Sequence, residues 1–160
     1  MFMLEELQSR IDPGGLMTIK PKGRILFAVT NDDNWELVRY ELSIRGFVVR
    51  RARTVAEMAQ AAARGRFDLY VLSNSSLEGG TGRDACQWIR SVDPNTPMLF
   101  YSGVAYTKDI KAALALGADD YIVLPDVDGT LPIGFRLWLN ALEAAAWKRG
   151  QKKHELLKRH

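Results

Sequence analysis

Residues 67–82 read FDLYVLSNSSLEGGTG, a short apolar run followed by a polar, glycine-rich loop. An apolar run of this length, bounded by loop residues, is typical of a strand buried on both faces of a parallel sheet. Sites in open α/β sheets form at the carboxyl ends of the strands, so chemistry is expected in this loop. The first side chains past the run are Ser73, Asn74, Ser75 and Ser76, and none carries a charge. The stretch therefore predicts a buried strand that leads into a site without ionisable groups.

Outward from this stretch, short apolar runs alternate with amphipathic segments of helical length. This alternation indicates successive βα units and a parallel sheet. The predicted strands are residues 24–30, 47–52, 67–73, 97–102 and 119–125. A helix is predicted after each strand, the fourth at 107–116 and the fifth from Pro132 through residue 147. Right-handed crossovers with helices on both faces favour the doubly wound strand order 2-1-3-4-5.

Local signals predict where the helices begin and which faces they bury. Asp33 with Glu36, and Thr54 with Glu57, have the spacing of a capping box, so the first two helices are predicted to begin there. Helical spacing predicts one buried stripe on the third helix. That stripe is Ala85, Trp88, Ile89 and Val92.

Composition limits the class of protein. The 160 residues are 47% hydrophobic and 26% charged, as in a soluble globular domain rather than a disordered chain. The only cysteine, Cys86, has no partner for an internal disulfide and no metal-binding spacing around it. The N-terminus does not resemble a secretory signal, and no apolar run approaches the ~20 residues that span a bilayer. We therefore expect a cytoplasmic protein with no membrane association and no cofactor.

Positive charge is concentrated at the C-terminus. Residues 148–160, KRGQKKHELLKRH, hold six of the 22 Lys and Arg residues and one of the 19 Asp and Glu residues. The rest of the chain has a net charge of −2, against +3 for the whole. We interpret the chain as a flexible leader (1–22), one domain (23–147) and a basic tail (148–160). The sequence leaves open whether translation naturally starts at Met1 or at Met17.

Four motifs occur in order at βα spacing: FDLYVLS, GGTG, PNTPMLFYSG and GADDYIVLP. Together they resemble the receiver domain of bacterial two-component response regulators over residues 23–145. The resemblance implies a flavodoxin-like (βα)5 fold. It also implies an aspartate after strand three that accepts a phosphoryl group and an acidic pair after strand one that binds Mg²⁺. A Ser or Thr after strand four and a lysine after strand five complete the set.

The charged members of that set are missing at the matching positions. The acidic pair falls on Val29 and Thr30. The acceptor falls on Ser73 when counted from the start of strand three, or on Asn74 when counted back from the glycine loop. The lysine becomes Leu124, which cannot bind an anion. The resemblance therefore identifies a degenerate receiver that has lost its nucleophile, metal ligands and lysine together.

Two uncharged elements of the family pattern remain. Ser102 occupies the hydroxyl position after strand four, and Tyr121 aligns with the aromatic residue whose rotation reports the state of the site. The resemblance makes them a switch pair acting on the surface of helix four, strand five and helix five. An ordinary half-buried tyrosine at position 121 is an equal alternative.

Other candidates are weaker. Asp32 and Asp33 follow strand one closely and would serve a conventional phosphorylated receiver, but helix capping is the favoured interpretation. Ser73 is a poor nucleophile without a neighbouring base, so a phosphoserine there is disfavoured. Trp147 lies beyond the length needed to cover the sheet, which leaves a homodimer or partner contact open.

The hypothesis is a stand-alone, receiver-like signalling module that acts through protein–protein interaction without aspartyl phosphorylation and is not an enzyme. Its expected partner is a signalling protein that binds the face made by helix four, strand five and helix five. The alternatives are a conventional receiver that uses Asp32 or Asp33 and an accessory protein that binds nucleic acid through the basic tail. The tail lacks interleaved aromatics and a recognisable DNA-binding motif, so nucleic acid is the less favoured partner.

Overall fold

The computed structural model describes residues 21–73, 76–103, 106–124 and 130–158, without the side chains of residues 76 and 146–154. The strands are β1 (Arg24–Ala28), β2 (Val48–Ala52), β3 (Leu69–Ser73), β4 (Ser76–Leu77), β5 (Gly80–Thr81), β6 (Met98–Ser102) and β7 (Asp120–Val123). The helices are α1 (Asp32–Ile44), α2 (Val55–Arg64), α3 (Gly82–Val92), α4 (Thr107–Ala115) and α5 (Ile133–Lys158).

A five-stranded parallel sheet has the order β2-β1-β3-β6-β7. This is the predicted order 2-1-3-4-5, so the doubly wound α/β fold is confirmed. All five residues of β3 are buried, as its uninterrupted apolar sequence requires. The strands and their crossover helices bring the carboxyl ends of β1, β3, β6 and β7 to one edge of the sheet.

The buried side chains form one cluster on each face of the sheet. Helices α2, α3 and α4 cover the first face, where Met58, Ile89 and Phe100 are fully buried. Helices α1 and α5 cover the second, where Phe27 and Phe135 are fully buried. Each helix therefore contributes its apolar stripe to one of the two layers that enclose the sheet.

The glycine-rich loop contains a short antiparallel hairpin that the sequence did not predict. Strands β4 and β5 pair Leu77 with Gly80, and Gly79 between them has a φ of 84°. The backbone amide of Val55 donates to the Glu78 carbonyl at 3.1 Å, which attaches the hairpin to the start of α2. A Cβ on Gly82 would lie 1.8 Å from the Ser73 carbonyl oxygen, so only glycine permits α3 to begin this close to β3.

Two local predictions were wrong. Asn31 caps α1, because its side chain accepts from the backbone amide of Asn34 at 2.9 Å, whereas Asp33 lies inside the first turn. Trp88 and Val92 are 61% and 54% exposed, so they do not belong to the buried stripe of α3. Helix α3 is buried instead along the four residues that face the sheet: Gly82, Ala85, Cys86 and Ile89.

The other capping prediction holds in part. Thr54 caps α2 and accepts from the Glu57 amide at 3.0 Å. The Glu57 carboxylate, however, accepts from the backbone amide of Arg53 at 2.8 Å rather than from that of Thr54. The helix start is therefore placed correctly, with the reciprocal bond shifted by one residue.

Helix α5 is longer than the sheet that it covers. The Lys22 ammonium lies 3.8 Å from Glu143, which marks where α5 passes the edge of the sheet at the start of β1. The helix continues through the proposed domain boundary at residue 147 as far as Lys158. Residues 144–158, the C-terminal projection, therefore extend about 22 Å beyond the sheet at 1.5 Å per residue.

In the part of the chain that the structure describes, no helix has the length and apolar character needed to cross a membrane.

Candidate functional site

The positions predicted from the sequence meet at one edge of the sheet. Val29 and Thr30 follow β1, Ser73 ends β3, Ser102 ends β6 and Leu124 follows β7. Backbone hydrogen bonds fix two of them, since the amide of Leu124 donates to the Ser102 carbonyl at 3.0 Å and the amide of Val29 to the Ala52 carbonyl at 3.1 Å. Asn74, the alternative acceptor position, lies outside the described residues.

Ser73 is buried beside a tyrosine. It is 5% exposed and pairs across the ladder with Tyr101 of β6. The Tyr101 hydroxyl donates to the Ala28 carbonyl at 2.9 Å. Burial raises the pKa of Tyr101 to about 12, against the opposing effects of a hydrogen bond from Ser73 and the charge of Arg51. The tyrosine is therefore neutral at physiological pH and links the carboxyl ends of β1, β3 and β6 by hydrogen bonds.

Two further positions have become part of the core. Val29 and Leu124 are each 1% exposed, and both belong to the same buried cluster as Tyr101, Phe27 and Phe135. An aliphatic side chain in this setting contributes by excluding water and cannot hold an ion. The apolar layer between α1, α5 and the sheet thus extends to the edge where sites form in this fold. Thr30 is exposed at its margin.

Arg51, from the outermost strand β2, supplies positive charge near the carboxyl ends of the strands. Arg51 of β2 donates through Nε to the Val29 carbonyl and through Nη2 to the Thr30 carbonyl, both at 3.1 Å. The same Nη2 lies 2.7 Å from Asp32 Oδ1, and the guanidinium sits 5.5 Å from the ring centroid of Trp35. The Arg51 side chain is only 14% exposed. It is therefore held by neutral oxygens, one carboxylate and one aromatic face.

Asp32 is committed to arginine pairing. In addition to Arg51, the Arg53 Nη2 lies 3.2 Å from the same Oδ1 atom. The hydrogen bond and charge of Arg51, followed by the charge of Arg53, hold the pKa of Asp32 below its ordinary value. Asp32 therefore does not cap α1, contrary to the favoured interpretation, and its carboxylate is already occupied by cations.

The side chains at this edge do not fit the magnesium ion that the resemblance implies. Mg²⁺ requires hard oxygen ligands, usually from one or two carboxylates. Val29, Thr30 and Ser73 supply no carboxylate, and Asp32 is engaged by two arginines. Among the described residues, no group of three or more His, Cys, Asp or Glu side chains is placed to hold a metal ion. No chemical step can be assigned to a metal at these positions.

The two residues of the predicted switch pair, Ser102 and Tyr121, lie on one face of the sheet. Phe100 pairs with Tyr121, and Ser102 pairs with Val123, in the parallel ladder between β6 and β7. Because side chains alternate along a strand, Ser102 projects to the same face as Phe100 and Tyr121. Tyr121 packs, half-buried, against the cluster that contains Phe100 and Ala113. The two residues thus share the face covered by α4.

Sequence reasoning missed Arg51 and Tyr101. Arg51 is one of two adjacent arginines at the end of an edge strand, a pattern that ordinarily indicates solvent exposure. Tyr101 is part of an apolar run, where nothing distinguishes a tyrosine with a bonded hydroxyl from one that only fills space. The alternation of β6 assigns Tyr101 to the Ser73 face, which was the available signal.

Comparison with known proteins agrees with this geometry. The family model described as "Response regulator receiver domain" matches residues 25–129. The photosynthetic apparatus regulatory protein RegA of Cereibacter sphaeroides is 33% identical over 81 residues, which cover 51% of this chain and 44% of RegA. The uncharacterized transcriptional regulatory protein YkoG of Bacillus subtilis is 29% identical over 104 residues, covering 65% of this chain and 45% of YkoG. The chain therefore spans less than half of either relative.

Solved structures show the same architecture. The HemR receiver domain of Leptospira biflexa, in its non-phosphorylated form, superposes with a TM-score of 0.64 at 26% identity, covering 78% of this chain and 94% of the other. A CheY-like receiver domain protein of Methanospirillum hungatei also gives 0.64, at 21% identity, with 76% and 97% coverage. The second likeness concerns the fold alone.

Proposed function

Because the chain belongs to the response regulator receiver domain family, we propose that it is a receiver-like signalling module that works without aspartyl phosphorylation. It acts by binding a protein partner in the cytoplasm and catalyses no reaction of its own. Residues 23–147 form the receiver-like domain in this proposal, preceded by a leader and followed by a basic tail.

One observation supports this proposal above the others: the buried apolar cluster continues through the positions where a receiver needs charge. Val29 and Leu124 are as buried as the centre of the core. Ser73 is hydrogen-bonded to Tyr101, whose hydroxyl is held by β1. A carboxylate nucleophile, a metal ion and a phosphoryl group would each have to displace packed apolar groups, at a large cost in desolvation.

The proposed partner face consists of α4, β7 and α5. It exposes Ile133 and Leu137 on α5, which are 67% and 62% exposed. A shallow cavity of about 290 Å³ lies next to Leu137 and is also lined by Asp120 and Trp138. The Trp138 indole donates to Asp120 at 2.9 Å, so the cavity wall is fixed. In this proposal Ser102 and Tyr121 keep one arrangement, and the partner recognises that arrangement constitutively.

A phosphotransfer assay tests the loss of phosphorylation. We expect no stable incorporation when the full chain is incubated with acetyl phosphate and Mg²⁺, measured by intact-mass spectrometry, while a receiver that retains its aspartate is modified in parallel. Asp32→Asn/Asp33→Asn is the matched variant, and, like the native chain, it should show no added phosphoryl mass. Stable phosphorylation that disappears in this variant would instead establish a conventional receiver.

Affinity capture from the host lysate tests the partner face. Because binding is proposed to be constitutive, the captured protein should be the same with and without acetyl phosphate. Leu137→Asp should lose it, since a charge at the centre of an apolar contact is costly to desolvate. Tyr40→Asp, on α1 and 61% exposed, is the control and should retain it. Equal capture by both variants would place the partner elsewhere.

A further inference from the structure

An apolar groove of about 580 Å³ lies between the first turns of α2, the β4–β5 hairpin and α3. Val55, Ala56, Ala59 and Trp88 line it. The hydrogen bond between Val55 and the Glu78 carbonyl holds its two sides together, so the groove exists without an occupant. Trp88, 61% exposed, stands at its wall. A large aromatic beside a preformed apolar groove is typical of an interaction site.

The C-terminal projection carries the complementary group. Leu156 and Leu157 lie at its end and are 53% and 68% exposed. They lie in a predominantly basic stretch, after Lys152, Lys153, His154 and Glu155 and before Lys158. Neither leucine belongs to a buried cluster among the residues that the structure describes. They therefore present an apolar contact flanked by positive charge.

A chain cannot place these leucines in its own groove. Helix α5 packs on the face of the sheet that α1 covers, whereas the groove lies on the opposite face, beside α2 and α3. The projection also leaves the domain at the end of the sheet near Lys22, while the groove is at the end where β2 and β3 finish. The projection is a continuous helix and does not turn back. Any contact between the two must join different molecules.

Charge favours a second copy as the occupant. Residues 148–160 have six basic side chains and one acidic one, while the remainder of the chain has a net charge of −2. Glu78 lines the groove, and Glu57 is exposed on the same first turn of α2. A basic helical end therefore meets an acidic rim around an apolar centre.

We infer that the Leu156–Leu157 end of α5 from one copy docks in the α2–α3 groove of a second copy, beside Trp88. The buried surface is small, so the association is weak and concentration-dependent. Reciprocal exchange of the two ends closes the assembly as a dimer. This contact uses a different face from the proposed partner surface and does not depend on the proposed function.

Sedimentation equilibrium of the full chain tests the inference. We expect the weight-average mass to rise with protein concentration and the association to weaken with added salt, because the rim contacts are screened. Trp88→Ala, Glu78→Lys and Leu156→Ser/Leu157→Ser should each reduce the association constant at least tenfold. Tyr40→Ala, matched to Trp88 in exposure, and Leu137→Ser should leave it unchanged. All these side chains are exposed, and circular dichroism verifies that each variant folds.

A mixing experiment distinguishes this leucine-in-groove contact from a contact in which the same surface of both copies meets. The Trp88→Ala chain retains the leucine end, and the Leu156→Ser/Leu157→Ser chain retains the groove. When mixed, the two variants retain one of the two contacts, so they should associate more weakly than the native chain but more strongly than either variant alone. A native chain that stays monomeric up to millimolar concentration would overturn the inference. So would undiminished association of the leucine variant, or a mixture that associates no better than either variant alone. So would a projection that binds duplex DNA while the chain does not self-associate.

Discussion

Ser73 is the residue on which the interpretation of the site depends. It lies at the carboxyl end of β3, almost without solvent access, and shares a hydrogen bond with Tyr101. A serine in this place satisfies its hydroxyl within the protein, and the site tolerates it because no charge is buried. The same burial should make an aspartate at this position destabilising.

Ser73→Asp is therefore expected to destabilise the domain by about 2 to 3 kcal/mol at neutral pH, because an ionised carboxylate would be buried among apolar groups with only Arg51 nearby. Burial raises the folded-state pKa of such a carboxyl above its unfolded value of ~3.9, so the penalty is small at low pH and grows as the pH rises. Urea unfolding across the acid range measures it.

Ser73→Ala is the control, with an expected loss of no more than about 1 kcal/mol for the hydrogen bond to Tyr101. An aspartate variant as stable as the native chain, able to bind Mg²⁺ and accept phosphoryl, would show that the site is a single substitution away from a working receiver. That result would contradict the interpretation that the side chains at the carboxyl ends of the strands are part of the buried core.

At the scale of elements, the turn between α3 and β6 is organised around one carboxylate. Asp93 ends α3 and accepts from the Tyr70 hydroxyl at 2.7 Å and from the backbone amides of Asn95 and Thr96. Partial burial opposes ionisation of Asp93, but these bonds and one from the Thr96 side chain outweigh it and lower its pKa to about 2. The carboxylate thus ties the helix end to β3 in the sheet.

The depressed pKa of Asp93 predicts a contribution to stability that is complete above the unfolded value of ~3.9 and is lost as the pH falls toward about 2. Asp93→Asn should destabilise the fold by about 1 kcal/mol at neutral pH and flatten this part of the acid limb. Chemical unfolding at several pH values provides the comparison, with Asp33→Asn as an exposed control. Parallel acid limbs for native and Asp93→Asn chains would contradict the assignment.

The helices and strands differ in how much of their structure the sequence predicts. Strand order and helix content follow from the apolar runs and capping residues, which are local signals with long-range consequences. The cap of α1 was misplaced because Asn31 and Asp33 compete for one role and only backbone geometry decides between them. Trp88 was assigned to the core by periodicity, but the small residues of α3 already fill the space against the sheet. The exposure of Trp88 depends on how α3 packs on the sheet, which the spacing of apolar residues alone does not predict.

For the molecule as a whole, the sequence shows that Val29, Thr30, Ser73 and Leu124 carry no charge, but it does not show that Arg51 and Tyr101 lie beside them. The pairing of Arg51 with Asp32 joins residues 19 positions apart through the register of β1 and β2. The length of α5 was also underestimated, because a basic, glycine-containing segment has weak helical signals and continues the helix that precedes it. The first feature arises from strand register, and the second from propagation of a helix that has already formed.

The proposed domain boundaries, residues 23 and 147, can be tested by truncation. Among the described residues, the buried members of the two clusters lie between 25 and 139, and Leu142 packs against one of them, so we expect a fragment of residues 23–147 to contain the folding unit. Its loss of Lys22 removes a partly exposed ion pair with Glu143, worth under about 1 kcal/mol, and the backbone hydrogen bond from the Lys22 amide to the Gly46 carbonyl, which water can replace. We expect one cooperative thermal transition and an unfolding free energy within about 1 kcal/mol of the full chain. A broad transition or a larger loss would mean that the leader or the C-terminal projection stabilises the domain, because nothing else distinguishes the two chains.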